Sequence, residues 1–216
     1  MRKLTLAFLG AVALAATLSG AFGQGVNTVS QPGLTTGYLP KVTYSSSFFG
    51  LVPVTTAGTD QVCITGSASK TIKIQSIKIW GTTATATQNV PLLLLKRVTA
   101  DTGGTAASTT ANPGITTQIA KRDPGSPAAT ATLISYTAAP TVNDSAPTYV
   151  DSAILAMPII TSVEAAQPID FNYARDVENF LQPLTLSGAA MQACVNNAVA
   201  LTNASAWNGV IVWTEE

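Results

Sequence analysis

Residues 71–80 read TIKIQSIKIW, and this stretch decides the fold class. Its isoleucines occupy even positions before Gln75 and odd positions after Ser76. Alternation of β-branched with polar residues is typical of a strand that has one buried face. Because a shift of one residue would turn the core side chains outward, the change of phase predicts a β-bulge at Gln75-Ser76.

Similar apolar segments recur along the chain, separated by clusters of Gly, Pro, Asn, Asp and Ser. Short strands at this spacing indicate an all-β protein. We expect an antiparallel β-sandwich of jelly-roll type over residues 59–216. Pro183 predicts that its strand lies at a sheet edge or in a bulge, since proline cannot donate to a ladder. The predicted strands are 61–66, 71–80, 90–98, 129–136, 149–158, 169–173, 180–187, 191–199 and 209–214.

Two turn-rich segments, 99–126 and 138–148, interrupt the predicted strands. Each contains several Pro, Asn or Asp residues, which favour turns. We predict that both segments are long surface loops, and loops on a rigid scaffold often carry binding residues.

The first 23 residues have the organisation of a secretory signal peptide. Arg2 and Lys3 precede an apolar run that extends from Leu4 to Leu18, and small residues follow. A positive start, a short apolar region and a small-residue cleavage site define such a signal. The apolar run is short for a membrane span of about 20 residues. We expect cleavage near Gly23-Gln24, a secreted protein and no membrane span after cleavage.

Residues 24–58 differ from the rest in their frequent Gly and Pro and in their runs of Thr and Ser. Frequent Gly and Pro residues prevent a helix and limit strands to short pieces, of which 41–44 and 48–54 are plausible. We interpret this segment as an extended N-terminal arm that lies on its own sandwich or on a neighbouring subunit. A loosely ordered terminus is the alternative. The apolar side chains of the arm that would make the assembly contact are Phe48, Phe49, Leu51 and Val54.

The chain carries little charge, because only 10% of its residues are Asp, Glu, Lys or Arg. An ordinary soluble protein has about 25%. Removal of the signal takes away two of the 11 Lys and Arg residues. The remaining 9 stand against 11 Asp and Glu residues, which gives a formal charge of −2. Without a broad basic surface, we expect neither nucleic acid nor anionic lipid as a partner.

The two cysteines of the chain, Cys63 and Cys194, both lie in predicted strands. Each cysteine lies on the same side of its strand as the polar residues next to it, as expected for two residues on one face of a sheet. Export permits the two thiols to pair. We predict a disulfide, and two separate half-buried thiols are the alternative.

The absence of His removes the usual general base and the commonest metal ligand. A carboxylate pair near Asp170 and Asp176 could serve a hydrolase, and Asn143, Asp144 and Asp151 could offer oxygen ligands to Ca²⁺. A surface ion pair and ordinary loop residues explain these groups more simply. We therefore expect no catalytic residue, no cofactor and no metal, and hence no enzyme.

Two further features could bind ligands. The dibasic pairs Lys96-Arg97 and Lys121-Arg122 could contact phosphate, although isolated pairs are more often solvated. Trp207, which has small polar neighbours, is the best candidate for a tryptophan that stacks on a sugar ring. We therefore consider Trp207 a possible platform for a glycan or a cell-surface ligand.

Three segments carry a family resemblance: residues 62–72 (VCITGSASKTI), 95–105 (LKRVTADTGGT) and 210–216 (VIVWTEE). They look like a group of uncharacterised proteins found in phage and environmental bacterial sequences. Together with residues 127–132 and 136–140, the resemblance covers most of 60–216. It implies a compact β-sandwich and, for phage members, a virion-associated role, and it implies no catalytic residues. The signal peptide and the 24–58 arm depart from this group.

These observations favour a secreted, non-catalytic structural subunit that self-assembles into an extracellular filament, coat or surface layer. The 24–58 arm would add a strand to the next subunit or cover an apolar groove on it. Head-to-tail contacts of this kind need not close, so filaments are the expected product. The alternatives are a virion coat or decoration protein and a carbohydrate- or surface-binding module.

Overall fold

The structure is a computed structural model that describes residues 41–107, 117–161, 165–173 and 184–216. These residues form twelve strands and no helix. The strands are β1 (Thr43–Leu51), β2 (Thr59–Thr65), β3 (Ile72–Thr83), β4 (Gln88–Arg97), β5 (Thr105–Ala106), β6 (Thr117–Lys121), β7 (Thr132–Ser135), β8 (Thr148–Met157), β9 (Ile169–Asn172), β10 (Leu184–Leu186), β11 (Gln192–Asn197) and β12 (Ser205–Glu215). The predicted signal peptide, residues 24–40 and Pro183 lie outside the described residues.

The strands form two antiparallel sheets of six strands each. The first sheet has the order β10-β3-β12-β1-β6, with β9 also paired to β3. The second sheet has the order β5-β7-β2-β11-β4-β8. The all-β prediction is confirmed, and the two sheets agree with a β-sandwich.

A core of apolar side chains is contributed by both sheets. The isoleucines of residues 71–80 lie in this core, each at most 1% exposed. Tyr44 and Trp213 stack with their ring centroids 5.8 Å apart. Burial of apolar area on this scale is the main stabilising contribution to such a fold. Other members of the core are Phe48, Val62, Ile64, Leu92, Leu94, Leu133, Leu155, Ala193, Val195 and Ile211.

The predicted β-bulge is confirmed at its predicted place. Val212 of β12 pairs with Ser76, and the next residue, Trp213, pairs with Ile74. Gln75 is therefore the extra residue of β3. A bulge restores the direction of the side chains that follow it, which is why Ile74 and Ile77 both lie in the core.

The structure places part of the predicted arm inside the sandwich. β1 pairs with β12 on one side and with β6 on the other. The compact unit extends from Lys41 to Glu216, so the sandwich includes residues before the expected boundary at Thr59. The serines at 45–47 hide this strand in the sequence, although the alternate residues Tyr44 and Phe48 both face the core.

The prediction that segment 99–126 is only a surface loop is wrong, because β5 and β6 lie within it. β6 contains a single β-branched apolar residue, Ile119, and it owes its strand conformation to pairing with the distant β1. Residues 138–147 are all described and form no strand beyond an isolated bridge between Thr102 and Thr141. The loop prediction is confirmed for that second segment.

Candidate functional site

The second sheet ends in a long strand, β8, which has a paired neighbour on one side only. It pairs with β4, and no other described strand continues the sheet beyond it. β8 has ten residues, and the other strands at sheet edges, β5, β6, β9 and β10, have five or fewer. An edge strand presents backbone N–H and C=O groups with which another strand can pair.

The outer face of β4 and β8 carries a row of apolar side chains. Ile154 pairs with Pro91, and Tyr149 pairs with Leu95. Ile154 is 66% exposed and Tyr149 is 57% exposed, and Leu93 between them is half-buried. We call Pro91, Leu93, Tyr149 and Ile154 the apolar strip. Exposed apolar side chains that are contiguous commonly mark a contact surface.

The second half of β8 lacks the features that usually protect an edge. Residues 152–157 pair with β4 without a register shift, and the irregularity of this ladder lies earlier, at Val150. Their sequence, SAILAM, contains no charged residue and no proline. Natural edge strands are commonly blocked by charges, prolines or bulges. Among the described residues, no strand pairs with the other side of this half of β8.

The predicted disulfide is present between Cys63 and Cys194. The two residues are directly paired on the neighbouring strands β2 and β11, and both are 0% exposed. Val54 and Tyr136 pack around them in a small cluster separate from the main core. The disulfide thus belongs to a second buried layer on the outer face of the second sheet.

A buried cluster of two acids and one base lies beside the disulfide, whose sulfur atoms are within 4.8 Å of the Asp60 carboxylate. Arg97 donates from Nε to Asp60 Oδ2 at 2.6 Å, and the same nitrogen is 3.3 Å from Asp101 Oδ2. Asn196 donates to the second oxygen of Asp60 at 2.7 Å. The three charged side chains are at most 4% exposed. We call Asp60, Arg97 and Asp101 the acid–arginine cluster.

Burial displaces the pKa of Asp101 and of the neighbouring Tyr136 from their ordinary values. Burial raises the pKa of Asp101 to about 6, and a hydrogen bond with Asp60 acts in the same direction. The N–H of Asn143 and the charge of Arg97 oppose this rise. Burial also raises the pKa of Tyr136 to about 12, so its hydroxyl remains neutral. Two carboxyl groups with one guanidinium carry a surplus negative charge when both acids are ionised.

Segment 98–107 contacts side chains of the second sheet and ends in β5, an edge strand of that same sheet. The N–H of Asp101 donates to Gln192 Oε1 at 2.9 Å. Thr102 and Thr141 exchange backbone hydrogen bonds of 3.2 and 3.1 Å. These contacts connect the segment both to β11 and to the loop of residues 138–147.

Arg97 also anchors the loop that leads into β8. Its Nη1 donates to the backbone oxygen of Asp144 at 2.6 Å, and the N–H of Val98 donates to the Asp144 carboxylate at 2.8 Å. That bond from Val98 lowers the pKa of Asp144 below its ordinary value. The acid–arginine cluster therefore positions two surface segments at once.

Three of the four predicted assembly residues lie in the protein's own interior. Phe48, Leu51 and Val54 are 0%, 8% and 9% exposed. Phe49 is 50% exposed, because it occupies the outward phase of β1. Of these four side chains, Phe49 has substantial surface for contact with another molecule.

The prediction that Trp207 is a ligand platform is contradicted, because Trp207 is 0% exposed. Its polar neighbours on β12, Ser205 and Asn208, are only partly buried. Trp207 takes the inward phase of the strand and joins the core. A ring enclosed in this way cannot stack on a sugar.

The other candidate residues do not form one site. Asp170 pairs with Lys78 at 3.4 Å, and Asp176 lies outside the described residues. Asp151 accepts a hydrogen bond from Tyr173 at 3.4 Å. The proposed oxygen ligands Asn143 and Asp144 instead bond to residues 98–101.

The acid–arginine cluster was not foreseen from the sequence. The interpretation of Arg97 as a solvated residue is wrong, because its guanidinium is buried between two acids. The available signal was the position of Asp60 and Arg97 inside apolar strands of a chain with only 10% charged residues. A charge at such a place needs a partner.

Within the described ranges, no helix is long and apolar enough to cross a membrane. Comparison of the chain with protein-family models, with curated proteins and with solved structures returned no match.

Proposed function

We propose that this protein is a secreted, non-catalytic structural subunit that self-assembles through the open edge of β8. Residues 24–40 of one copy add a strand to the second sheet of the next copy. The observation that carries this proposal is the regular, uncharged half of β8, residues 152–157. Strand addition gains affinity from main-chain hydrogen bonds and specificity from side-chain contacts.

The apolar strip supports the same partner. Residues 24–40 contain Val26, Val29, Leu34, Tyr38 and Leu39, which match an apolar surface and add no charge. A strand placed beside β8 would cover Ile154 and Tyr149, the most exposed members of the strip. Covering such side chains stabilises an assembly by about 25 cal/mol per Å² of apolar area.

The length of the segment is sufficient to reach a second sandwich. Its 17 residues, 24–40, span at most about 56 Å when fully extended. They join the sandwich at Lys41, just before β1 of the first sheet, whereas β8 belongs to the second sheet. Donation to the next copy would produce a head-to-tail chain that need not close.

Secretion is supported by the predicted signal peptide and by the disulfide. Cleavage near Gly23-Gln24 would make residue 24 the new amino terminus, so that the donated segment has a free end. Disulfides persist in oxidising compartments, and the Cys63–Cys194 bond joins residues that are 131 positions apart. A structural subunit outside the cell would benefit from this covalent link.

The strand order favours one second candidate, a virion coat or decoration protein. The first sheet contains β1, β3, β6, β9, β10 and β12 and the second contains β2, β4, β5, β7, β8 and β11, so the chain crosses repeatedly from one sheet to the other. Repeated crossing of this kind supports a jelly-roll, an architecture found in capsid and lectin domains. Fold alone does not decide function, and electron microscopy would separate closed shells from open filaments.

Two variants of the secreted protein test the proposal. The first lacks residues 24–40 but keeps β1, which a deletion of 24–58 would remove from the centre of the first sheet. The second is Ile154→Lys, which places a charge on the edge strand. We expect each variant to remain folded and monomeric in sedimentation velocity, under conditions in which the unaltered protein forms polymers.

Val52→Lys is the matched control, because Val52 is also 66% exposed and lies outside β8. This control should polymerise like the unaltered protein. An unaltered protein that stays monomeric would contradict the proposal. Normal polymers from the variant without residues 24–40 would contradict it equally.

A further inference from the structure

The acid–arginine cluster has no part in the proposed assembly, and its composition is unusual for a protein interior. Asp60 has a partner on each oxygen, Arg97 on one and Asn196 on the other. Asp101 Oδ2 is buried and accepts no hydrogen bond from a described residue. A buried ionised group is costly unless it is both paired and hydrogen-bonded.

We infer that the acid–arginine cluster is a pH-sensitive switch, in which a proton on Asp101 holds segment 98–107 against the second sheet and loss of that proton weakens the hold. In the protonated state, the Asp101 hydroxyl donates to the Asp60 carboxylate, and the charges of Asp60 and Arg97 balance. When the proton leaves, two carboxylates share one guanidinium. The surplus charge favours conformations in which segment 98–107 moves outward and Asp101 meets water.

The charged and titratable groups around Asp101 come from several elements. β2 contributes Asp60, β4 contributes Arg97, the 138–147 loop contributes Asp144, and the chain after β7 contributes Tyr136. β11 contributes uncharged amides. The hydrogen bond from the N–H of Val98 keeps the pKa of Asp144 below its ordinary value. Burial raises the pKa of Tyr136, so its hydroxyl stays neutral. Neither group changes its charge where the switch operates.

The direction of the pH dependence follows from Asp101. Burial raises its pKa from the ordinary 3.8 to about 6 on folding. A group that is more easily protonated in the folded state stabilises the fold fully below its ordinary pKa, and this stabilisation is lost as the pH rises through about 6. The equilibrium constant for unfolding should therefore increase about tenfold between pH 5 and pH 7.

The other described acids with a displaced pKa, Asp144, Glu215 and Glu216, have it lowered, which is away from this range of pH. The chain has no His, the side chain whose ordinary pKa lies there. Glu216 titrates at lower pH, because its ion pairs with Lys41 and Lys73 lower its pKa. The part of a change in stability between pH 5 and pH 7 that is absent from Asp101→Asn reports on Asp101.

Urea denaturation at pH 5 and pH 7 tests the switch in the native protein, in Asp101→Asn and in Asp170→Asn. Asparagine has nearly the shape of aspartate but does not titrate in this range. We expect the tenfold change in the native protein and in the surface control Asp170→Asn, and less than a twofold change in Asp101→Asn.

Hydrogen exchange locates the effect. After correction for intrinsic rates, peptides from residues 98–107 and 138–147 should lose protection between pH 5 and pH 7 in the native protein and not in Asp101→Asn. An unfolding constant equal at both pH values in the native protein would overturn the inference, even if the variant does not fold. A dependence that persists unchanged in Asp101→Asn would also overturn it. Both readouts are taken at a protein concentration at which the sample is monomeric in sedimentation velocity, so polymer formation does not contribute to them.

Discussion

At the residue scale, the packing of Phe48 depends on the absence of a side chain at Gly209. A Cβ at position 209 would lie 2.4 Å from Cζ of Phe48 and 2.5 Å from the backbone oxygen of Lys78. Phe48 is 0% exposed and pairs with Gly209 across β1 and β12. The glycine therefore lets a large ring enter the core between strands that are far apart in the chain.

Gly209→Ala should lower the free energy of unfolding by about 1–3 kcal/mol, because the added methyl overpacks the core. Urea denaturation of the purified protein measures this change. Gly125→Ala is the control, because a Cβ there meets its nearest neighbour, Asp123 Oδ1, at an ordinary 3.5 Å. Equal stability of the two variants would show that Phe48 can move without cost.

Removal of the disulfide by the double substitution Cys63→Ala/Cys194→Ala should lower the free energy of unfolding by about 2–5 kcal/mol. The bond closes a long loop, since the two residues are 131 positions apart. Denaturation without reductant compares the variant with the native protein. An unchanged midpoint would mean that the bond does not contribute to stability.

Some residue-level features could be predicted because a single local pattern determines them. The chain has two cysteines, both in predicted strands, so only one pairing is possible, and the change of phase at Gln75 requires a bulge. The burial of Trp207 could not be predicted in this way, because its polar neighbours obscured the inward phase of β12. In the acid–arginine cluster, Asp60 and Arg97 are 37 positions apart in the chain and Arg97 and Asp101 are four apart. Local sequence patterns do not show which of these charges meet.

At the element scale, Glu215 connects the end of β12 to the segment before β7 through hydrogen bonds. Its carboxylate accepts the backbone N–H groups of Thr130 and Ala131 at 2.9 and 3.0 Å, and the hydroxyl of Thr130 at 2.6 Å. Trp213 Nε1 donates to it at 3.1 Å. Burial opposes the charged form, but these hydrogen bonds outweigh it and lower the pKa of Glu215.

Glu215→Gln should lower the free energy of unfolding by about 1–3 kcal/mol at neutral pH. The NH₂ group of glutamine is a hydrogen-bond donor, and it would face groups that also donate and would lose their acceptor. Since folding lowers the pKa of Glu215, its stabilisation is complete above the ordinary value of 4.5 and is lost as the pH falls through the folded value. The difference between native and variant midpoints should therefore shrink in acid. Glu216→Gln, which removes exposed ion pairs, should cost less than about 1 kcal/mol. A difference that is constant in acid would contradict this role of Glu215.

The strands that were predicted carry a signal of their own, which is alternation of apolar and polar residues in β3 and a continuous apolar run in β4. The strands that were missed, or expected only as short pieces, depend on their partners. β1 contains three consecutive serines, and β6 contains one large apolar residue, Ile119. Pairing of these two strands with each other and with β12 supplies the order that their sequences do not specify.

At the scale of the whole molecule, the fold class could be predicted but the sheet order could not. Alternation shows which segments are strands, whereas the pairing of β1 with β12 joins opposite ends of the described chain. The open edge of β8 depends on that global order, because an edge is defined by the strand that is missing beside it. The contact surface was therefore expected in the N-terminal arm, and the edge that we propose as its acceptor is apparent only from the sheet order.

A mixing experiment tests assembly through β8 most directly. The variant without residues 24–40 keeps the acceptor edge, and Ile154→Lys keeps the donor segment. Neither should polymerise alone, but an equimolar mixture should form a complex with one copy of each, seen by sedimentation velocity. A mixture that sediments only as monomers would contradict assembly through this edge and this segment.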